Sequence, residues 1–318
     1  MRKLFMACAL TALIATPAAA QEKLLIGSTS SSSSHYGYFV ALSQLINAKV
    51  KGVETSVVET GATVDNLRRL ARKQIDMGLV TTNTGYQAYA GQAAFEGKPV
   101  DTRLLWVYVP APQNIVVRKD SGVESVAGLK GKKFNPGLRG SATEATTDAV
   151  FKLLGLEVDA VRGSTTDIVD AVKDNRAIGY VKSGAGNKLD GSTLDINTFS
   201  PINVLSLTKD EADKIAKGMP EVSVVTVPAG AAEGVPAYTT WSIGIAVHAH
   251  PEMSEDAAYQ ITKAAMEDKE MQAGAMAELK GVDLMQVTVD YGSIPLHAGA
   301  AKYFKEKGVA LPERIAPK

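Results

Sequence analysis

Three times in its first ninety residues this chain repeats one pattern. A short apolar run is followed by a loop of glycine, serine or threonine, and then by apolar residues at helical spacing. Leu24-Leu25-Ile26 reads as a buried strand, residues 27–34 as a loop, and Phe39, Leu42, Leu45 and Ile46 mark a helix. Residues 55–59 read as the second strand, Thr60-Gly61-Ala62 as a turn, and 63–73 as a helix carrying Val64, Leu67 and Leu70. The third unit has a strand over 75–80, a loop over 81–85 and a helix that begins at 86–91. Strands that alternate with helices need right-handed crossovers and build a parallel sheet. The chain is therefore read as an α/β protein.

The pattern changes near residue 104. Two β-rich runs, 104–109 and 115–117, flank Pro110-Ala111-Pro112. Proline donates no hydrogen bond and is excluded from central strands, so this segment is expected at an edge or at a crossing between domains. A second βα series follows, with a strand at 133–135, a loop at 136–140 and a helix from about 142 to 154. Ser141 and Glu144 have the spacing of a capping box at that helix start. Residues 167–173 read as helix, 177–181 and 240–247 as strands, and 255–266 as helix. Two α/β lobes are the simplest arrangement: residues 21–110 and 238–318 in lobe 1, 111–237 in lobe 2, and a ligand cleft between them.

Residues 1–20 read as a leader. Arg2 and Lys3 precede an apolar stretch over 4–15, and Ala18-Ala19-Ala20 offers a signal-peptidase site before Gln21. That stretch is shorter than the ~20 residues of a membrane span. Cleavage removes Cys8, the single cysteine, which excludes a disulfide and a cysteine-based zinc site and suits an oxidising compartment. Removing Arg2 and Lys3 leaves 32 basic against 34 acidic residues, a charge of −2. That balance lacks the footprint of a general nucleic-acid binder. A periplasmic protein, exported and not membrane-embedded, is expected.

Four loops lead into helix N-termini: 28–35, 60–63, 81–85 and 136–141. A helix N-terminus presents unpaired N–H groups and partial positive charge, so it attracts carboxylate or phosphate. Glycine and serine let the backbone approach such a ligand, although the same residues also cap helices and make turns. Four such loops in β/α order favour a small anionic or zwitterionic ligand. Other chemistries are poorly supported. His248 and His250 share a strand face without a further ligand for a metal. His35 beside the serine run lacks a G-x-S-x-G elbow. Residues 130–133 lack Walker spacing, and the run Ser30–Ser34, which alone would resemble a flexible linker, lies between a strand and a helix. No catalytic set, metal or cofactor is expected.

These blocks resemble a known family. Gly27-Ser28-Thr29-Ser30 with His35-Tyr36-Gly37-Tyr38 is similar to the G-x-x-x-G-x-Y-Y opening of TAXI-type solute receptors, the extracytoplasmic subunits of tripartite ATP-independent periplasmic (TRAP) transporters. The resemblance continues through residues 59–67, 120–123, 129–132, 140–144 and 294–300. It implies a two-lobed periplasmic binding-protein fold, type II-like, that closes on a small acid such as glutamate or a dicarboxylate and delivers it to membrane permease subunits. Carried over by position, it puts the ligand near Tyr36, Thr60, Ala62, Thr63, Asn66, Ser141, Ala142 and Thr143. Ser34, His35, Thr82 and Ser183 join this set from the neighbouring loops.

The chain departs from the family pattern in two places. Ser31–Ser34 replace glycines, and residues 178–184 carry Lys182 where relatives have an acidic, apolar segment. Lys182, together with Arg139 beside Gly140-Ser141, either faces the cleft or lies exposed on a loop. Two cations in the cleft would suit a dicarboxylate or oxoacid. The competing reading is a periplasmic enzyme on the same two-lobed fold.

Overall fold

The computed structural model describes residues 22–219 and 221–317; the expected leader, Cys8 and Gln21 lie outside the described residues. The three opening repeats form β1 (Glu22–Gly27), α1 (Ser34–Lys49), β2 (Val53–Val58), α2 (Thr63–Ala71), β3 (Met77–Thr81) and α3 (Thr82–Tyr89). β1 pairs in parallel with both β2 and β3. Crossover connections make parallel pairing natural, because each helix carries the chain back to the end of the sheet from which the previous strand started. The expected loop at 81–85 does not exist as a loop. Thr81 ends β3 and caps α3, and residues 82–85 are buried in the first turn of that helix.

A second α/β lobe follows β4 (Arg103–Arg118). It comprises β5 (Lys133–Asn135), α4 (Ala142–Leu154), β6 (Asp159–Ala160), α5 (Thr165–Lys173), β7 (Gly179–Ser183), α6 (Gly191–Phe199), β8 (Ile202–Leu205), α7 (Lys209–Gly218) and β9 (Ser223–Val227). The chain returns through β10 (Tyr238–Ala249) and ends with α8 (Glu255–Glu267), α9 (Met271–Ala275), α10 (Leu284–Tyr291) and α11 (Ala298–Glu306). α8 and α9 pack on α1, and α10 packs on β4. Among the described residues, no helix is long and apolar enough to cross a membrane.

The strands run in the order β2-β1-β3-β10-β4-β7-β5-β6, with β8 beside β4 and β9 beside β10. β4 and β10 are shared by both lobes. Residues 103–112 of β4 pair with β10, and residues 113–117 pair with β7. β10 pairs with β9 over residues 238–242 and with β3 over 245–249. The segment Pro110-Ala111-Pro112 therefore lies inside one long strand, where two separate β runs were expected. Its prolines are tolerated because their carbonyls face a loop: Gly186 and Gly184 donate N–H to Pro110 and Pro112 at 2.9 and 2.8 Å. No strand ladder needs the missing N–H on that side.

The core lies between the sheet and its helices. Tyr38, Phe39, Leu42, Leu45 and Ile46 of α1 are buried, as are Trp106, Tyr108 and Val109 of β4. Burying each large apolar side chain contributes roughly 1.5–3 kcal/mol. A separate cluster in lobe 2 joins Val116, Ile168, Val172, Tyr180 and Ile196.

Glycine is required where β1 and β3 meet. Gly27 and Gly78 are register partners, and a Cβ on Gly78 would lie 2.6 Å from the Gly27 carbonyl oxygen. Both are backbone atoms in paired strands, so neither yields cheaply. Gly78→Ala is expected to destabilise the fold by roughly 1–3 kcal/mol, the usual cost of overpacking. Urea melts within about 0.5 kcal/mol of wild type, the range of innocuous surface changes, would show that the strands separate freely.

Candidate functional site

The serine run is ordered by capping. Ser28, Thr29, Ser30 and Ser33 are buried, and Ser33 caps α1 by accepting the His35 N–H at 3.3 Å. The next groups of that helix bond across to lobe 2. Ser33 Oγ and the Ser34 N–H both donate to Asp190 Oδ2, at 2.9 and 3.0 Å. Asp190 is the N-cap of α6, where its Oδ1 accepts the Ser192 N–H at 3.0 Å and the Ser192 hydroxyl at 2.6 Å. In return Ser34 Oγ accepts the Gly191 N–H at 2.8 Å. Each lobe thus caps a helix of the other.

Lys182 and His35 complete this cluster. Lys182 Nζ lies 3.7 Å from Asp190 Oδ1 and donates to Ser33 Oγ at 3.3 Å, and its side chain is buried. Burial raises the pKa of Asp190, but Lys182, His35 and the Ser192 bonds outweigh it and hold the carboxyl below its ordinary value. His35 bridges the lobes too. A carbonyl can only accept, so Nε2–H donates to the Gly184 oxygen at 3.2 Å, and Nδ1 accepts from the Tyr108 hydroxyl at 3.0 Å. That tautomer is neutral, consistent with burial driving the imidazole down to about 4.

Between the lobes lies a cavity of about 30 Å³, lined by Thr29, His35, Ala62, Thr63, Leu79, Thr81, Leu138, Ser141, Ala142, Thr143, Val181, Lys182, Ser183 and Ile245. It has room for about two water-sized groups. Two helix N-termini open into it, one from each lobe. Ala62 caps α2 and adopts φ 64°, ψ −146°, a conformation that strains any residue with a Cβ. Ser141 caps α4 by accepting the Glu144 N–H at 3.1 Å. The expected capping box is only half reciprocal, because the Glu144 carboxylate takes the Gly140 N–H at 2.8 Å instead. The two loops meet where the Val64 N–H donates to the Gly140 carbonyl at 3.1 Å.

Of the residues expected from sequence, His35, Ala62, Thr63, Ser141, Ala142, Thr143, Lys182 and Ser183 line this cavity. Six do not. Ser34 is committed to the exchange with Asp190 and Gly191. Tyr36 is half-buried on α1 and away from the lining. Thr60 Oγ donates to the Ser28 carbonyl at 2.8 Å and fixes the turn before α2. Asn66 ties strand ends together, donating to the Ser28 and Leu79 carbonyls at 2.9 and 2.8 Å. Thr82 accepts the Gly244 N–H at 3.1 Å and faces a different depression, while Thr81, one residue earlier, faces the cavity. Arg139 is exposed, with its guanidinium on the Arg162 carbonyl at 3.1 Å.

Sequence reading missed Asp190 and Gln113. Gln113 Nε2 donates to the Ala111 carbonyl at 2.8 Å, and its Oε1 accepts from Thr143 and Ser183, at 2.9 and 3.0 Å. Gln113 lies in a strand, and Asp190 ends a loop that was not among the four singled out. The only available signal was Asp190 standing two residues before Ser192, an N-cap spacing. Larger depressions, of about 690 and 300 Å³, lie around α8–α10 and contain none of the expected residues. Among the described residues, no group of three or more His, Cys, Asp or Glu side chains could hold a metal ion.

Two perturbations follow from this geometry. Asp190→Ala removes caps from two helices and leaves Lys182 buried without its partner. A loss of about 3–5 kcal/mol in stability is expected by chemical denaturation; a loss under about 1 kcal/mol, typical of exposed pairs, would refute the clasp. The histidine gives a pH signature. Its folded pKa of about 4 lies below the ordinary 6.5, so the unfolded chain binds the extra proton. The stabilisation is complete above pH 6.5 and is lost as pH falls toward 4, at up to about 1.4 kcal/mol per pH unit. His248, driven to about 3 by burial, acts in the same direction. His35→Gln should therefore flatten, without abolishing, the stability slope between pH 6.5 and 5 in urea melts. Profiles parallel to wild type would show that His35 is not held neutral.

Three solved structures share this architecture at low identity. The ligand-binding component of an ABC-type import system from Staphylococcus aureus superposes with a TM-score of 0.51 at 12% identity, covering 93% of this chain and 97% of that one. A putative L-cystine ABC transporter from Listeria monocytogenes gives 0.51 at 11%, covering 83% and 98%. A TRAP periplasmic solute-binding protein from Sulfitobacter sp. NAS-14.1, solved with bound β-D-galacturonate, gives 0.51 at 11%, covering 90% and 96%. These likenesses establish the fold as that of two-lobed substrate-binding proteins. The model of one sequence family spans both lobes, from residue 26 to residue 308, and this chain belongs to that family, the NMT1-like family.

Proposed function

We propose that this chain is an extracytoplasmic solute receptor that captures a small acid between its lobes and presents it to membrane permease subunits. One observation carries the reading: the N-termini of α2 and α4, one from each lobe, open into the same cavity beside buried Lys182. The first N–H groups of a helix have no partner within it, and the helix dipole adds positive potential there. A carboxylate held by both ends would join the lobes. The family resemblance points to oxoacids, amino acids of the glutamate type and dicarboxylates as the first candidates for that acid.

Lobe closure belongs to this reading. Lobe boundaries at 110/111 and 237/238 would put the hinge in the two shared strands, and the exchange of strand partners beside Pro112 and at residues 242–245 supports hinge bending in those strands. Export to the periplasm rests on the leader sequence at residues 1–20. Membership of the TAXI group, and hence delivery to a TRAP-type permease, rests on the sequence blocks from Gly27 to Ala300. The shared fold favours neither TRAP nor ABC permeases, since both kinds of receptor have it.

Thermal unfolding with a panel of small acids tests the proposal directly. A bound acid at ~100 times its Kd should add ~2.7 kcal/mol, and scattering should report contraction. If no acid in the panel raises the midpoint, the proposal fails. Mutation separates the two cations. Lys182→Met should weaken binding of a stabilising acid by ~2–5 kcal/mol, because it leaves the buried Asp190 carboxylate uncompensated beside the cavity that the acid enters. Arg139→Ala should cost ~0–1 kcal/mol, as exposed charges do. Equal effects in calorimetric titrations would mean that Lys182 does not face the bound acid.

A further inference from the structure

The walls of the cavity carry a charge balance and a hydrogen-bond polarity that narrow the solute further, on the basis of the receptor reading above. Lys182 is the cation among the lining residues, and Asp190 lies 3.7 Å from its ammonium in the same lobe. Both side chains are buried, so solvent does not screen the pair and their charges cancel as seen from the cavity. His35 is neutral, and Arg139 is outside. What remains positive is the partial charge at the ends of α2 and α4, roughly half a unit each, which matches one carboxylate and not two.

The opposite wall is an acceptor. Gln113 Nε2 must donate to the Ala111 carbonyl, so the amide orientation is fixed and Oε1 points at Thr143 and Ser183. Those two hydroxyls also lie 2.8 Å from each other. Whether each proton goes to Oε1, or one passes through the other hydroxyl, both are used inside the triad. The hydroxyls therefore turn lone pairs toward the cavity. Thr63 and Ser141 are the reverse. Their oxygens accept backbone N–H groups, from Thr81 at 3.2 Å and Glu144 at 3.1 Å, which leaves their protons to donate.

We infer that the solute is a small acid with a single carboxylate and a nearby hydrogen-bond donor, such as a 2-hydroxy acid or a small neutral amino acid, with Asp190 and Gln113 as the residues that exclude dicarboxylates. The carboxylate sits against Thr63, Ser141 and the two helix ends, and the hydroxyl or ammonium donates to Thr143 or Ser183. A second carboxylate would meet lone pairs at that wall and find Lys182 already neutralised.

Calorimetric titration with glycolate, L-lactate, L-alanine, propionate and succinate tests this. At least one of the first three should bind about tenfold or more tightly than propionate, which lacks the donor, and than succinate, because unpaired buried polar groups are penalised strongly. Gln113→Leu frees at least one of the two hydroxyl protons, since the hydroxyls can still bond to each other, and should erase the preference over propionate. Asp190→Asn exposes the charge of Lys182 and should improve succinate relative to L-lactate. Should Asp190→Asn fail to fold, Gln113→Leu still decides the donor requirement, and the wild-type ratio to succinate decides the charge count. Succinate binding as tightly as the hydroxy and amino acids overturns this inference and leaves the receptor reading intact. No binding by any acid overturns both.

Discussion

The closed arrangement of the two lobes depends on one buried carboxylate. Asp190 accepts hydrogen bonds from the start of its own helix and from the start of α1 in the other lobe. A carboxylate taken out of water without partners is costly, and here four hydrogen bonds and one ammonium compensate it. The same bonds define the cavity. They hold Ser33 against Lys182, keep α1 and α6 end to end, and bring His35 within reach of Gly184. In the receptor reading, the protein supplies at α1 the kind of contact that a solute carboxylate would supply at α2 and α4.

In the receptor reading, the sheet offers a way for such a contact to be made and broken. β4 and β10 are continuous through both lobes, so relative movement of the lobes must bend these two strands. Pro110 and Pro112 suit that position because they remove two ladder donors where β4 faces a loop. Glycine at 244, opposite Pro110, removes a side chain at the same level. A hinge there leaves the parallel portions of both lobes rigid, and with them the helix ends that face the cavity.

Much of the cavity could be read from the chain because its chemistry is local. A strand, a Gly/Ser/Thr loop and a helix in sequence imply a helix N-terminus at the end of a strand. That logic located the loops at 60–63 and 136–141, within and beside which the family resemblance picked out Ala62, Thr63, Ser141, Ala142 and Thr143. It misplaced Thr82 by one residue, since α3 starts directly after β3 and the N-cap is Thr81. It could not tell ligand contacts from scaffolding at Thr60 and Asn66, whose side chains bond to the backbone of neighbouring strands. The residues between 184 and 237, with weak periodicity, contained α6, α7, β8 and β9, and with them Asp190.

The amino-acid sequence by itself determined the alternation of strand and helix, the α/β class, the loops that feed helix ends, and a resemblance to solute receptors. These depend on neighbours a few residues apart, where periodicity and capping chemistry act. Only the tertiary structure decided which cation faces the cavity and what neutralises it. Arg139 and Lys182 stand in similar loop-proximal positions in the chain, yet one is exposed and the other is buried against Asp190. Their charges acquire meaning only through burial, because an ammonium in water and one sealed beside a carboxylate differ in environment and not in sequence. Gln113 is the same case: its amide is oriented by a carbonyl two residues away, but what it orients comes from α4 and β7.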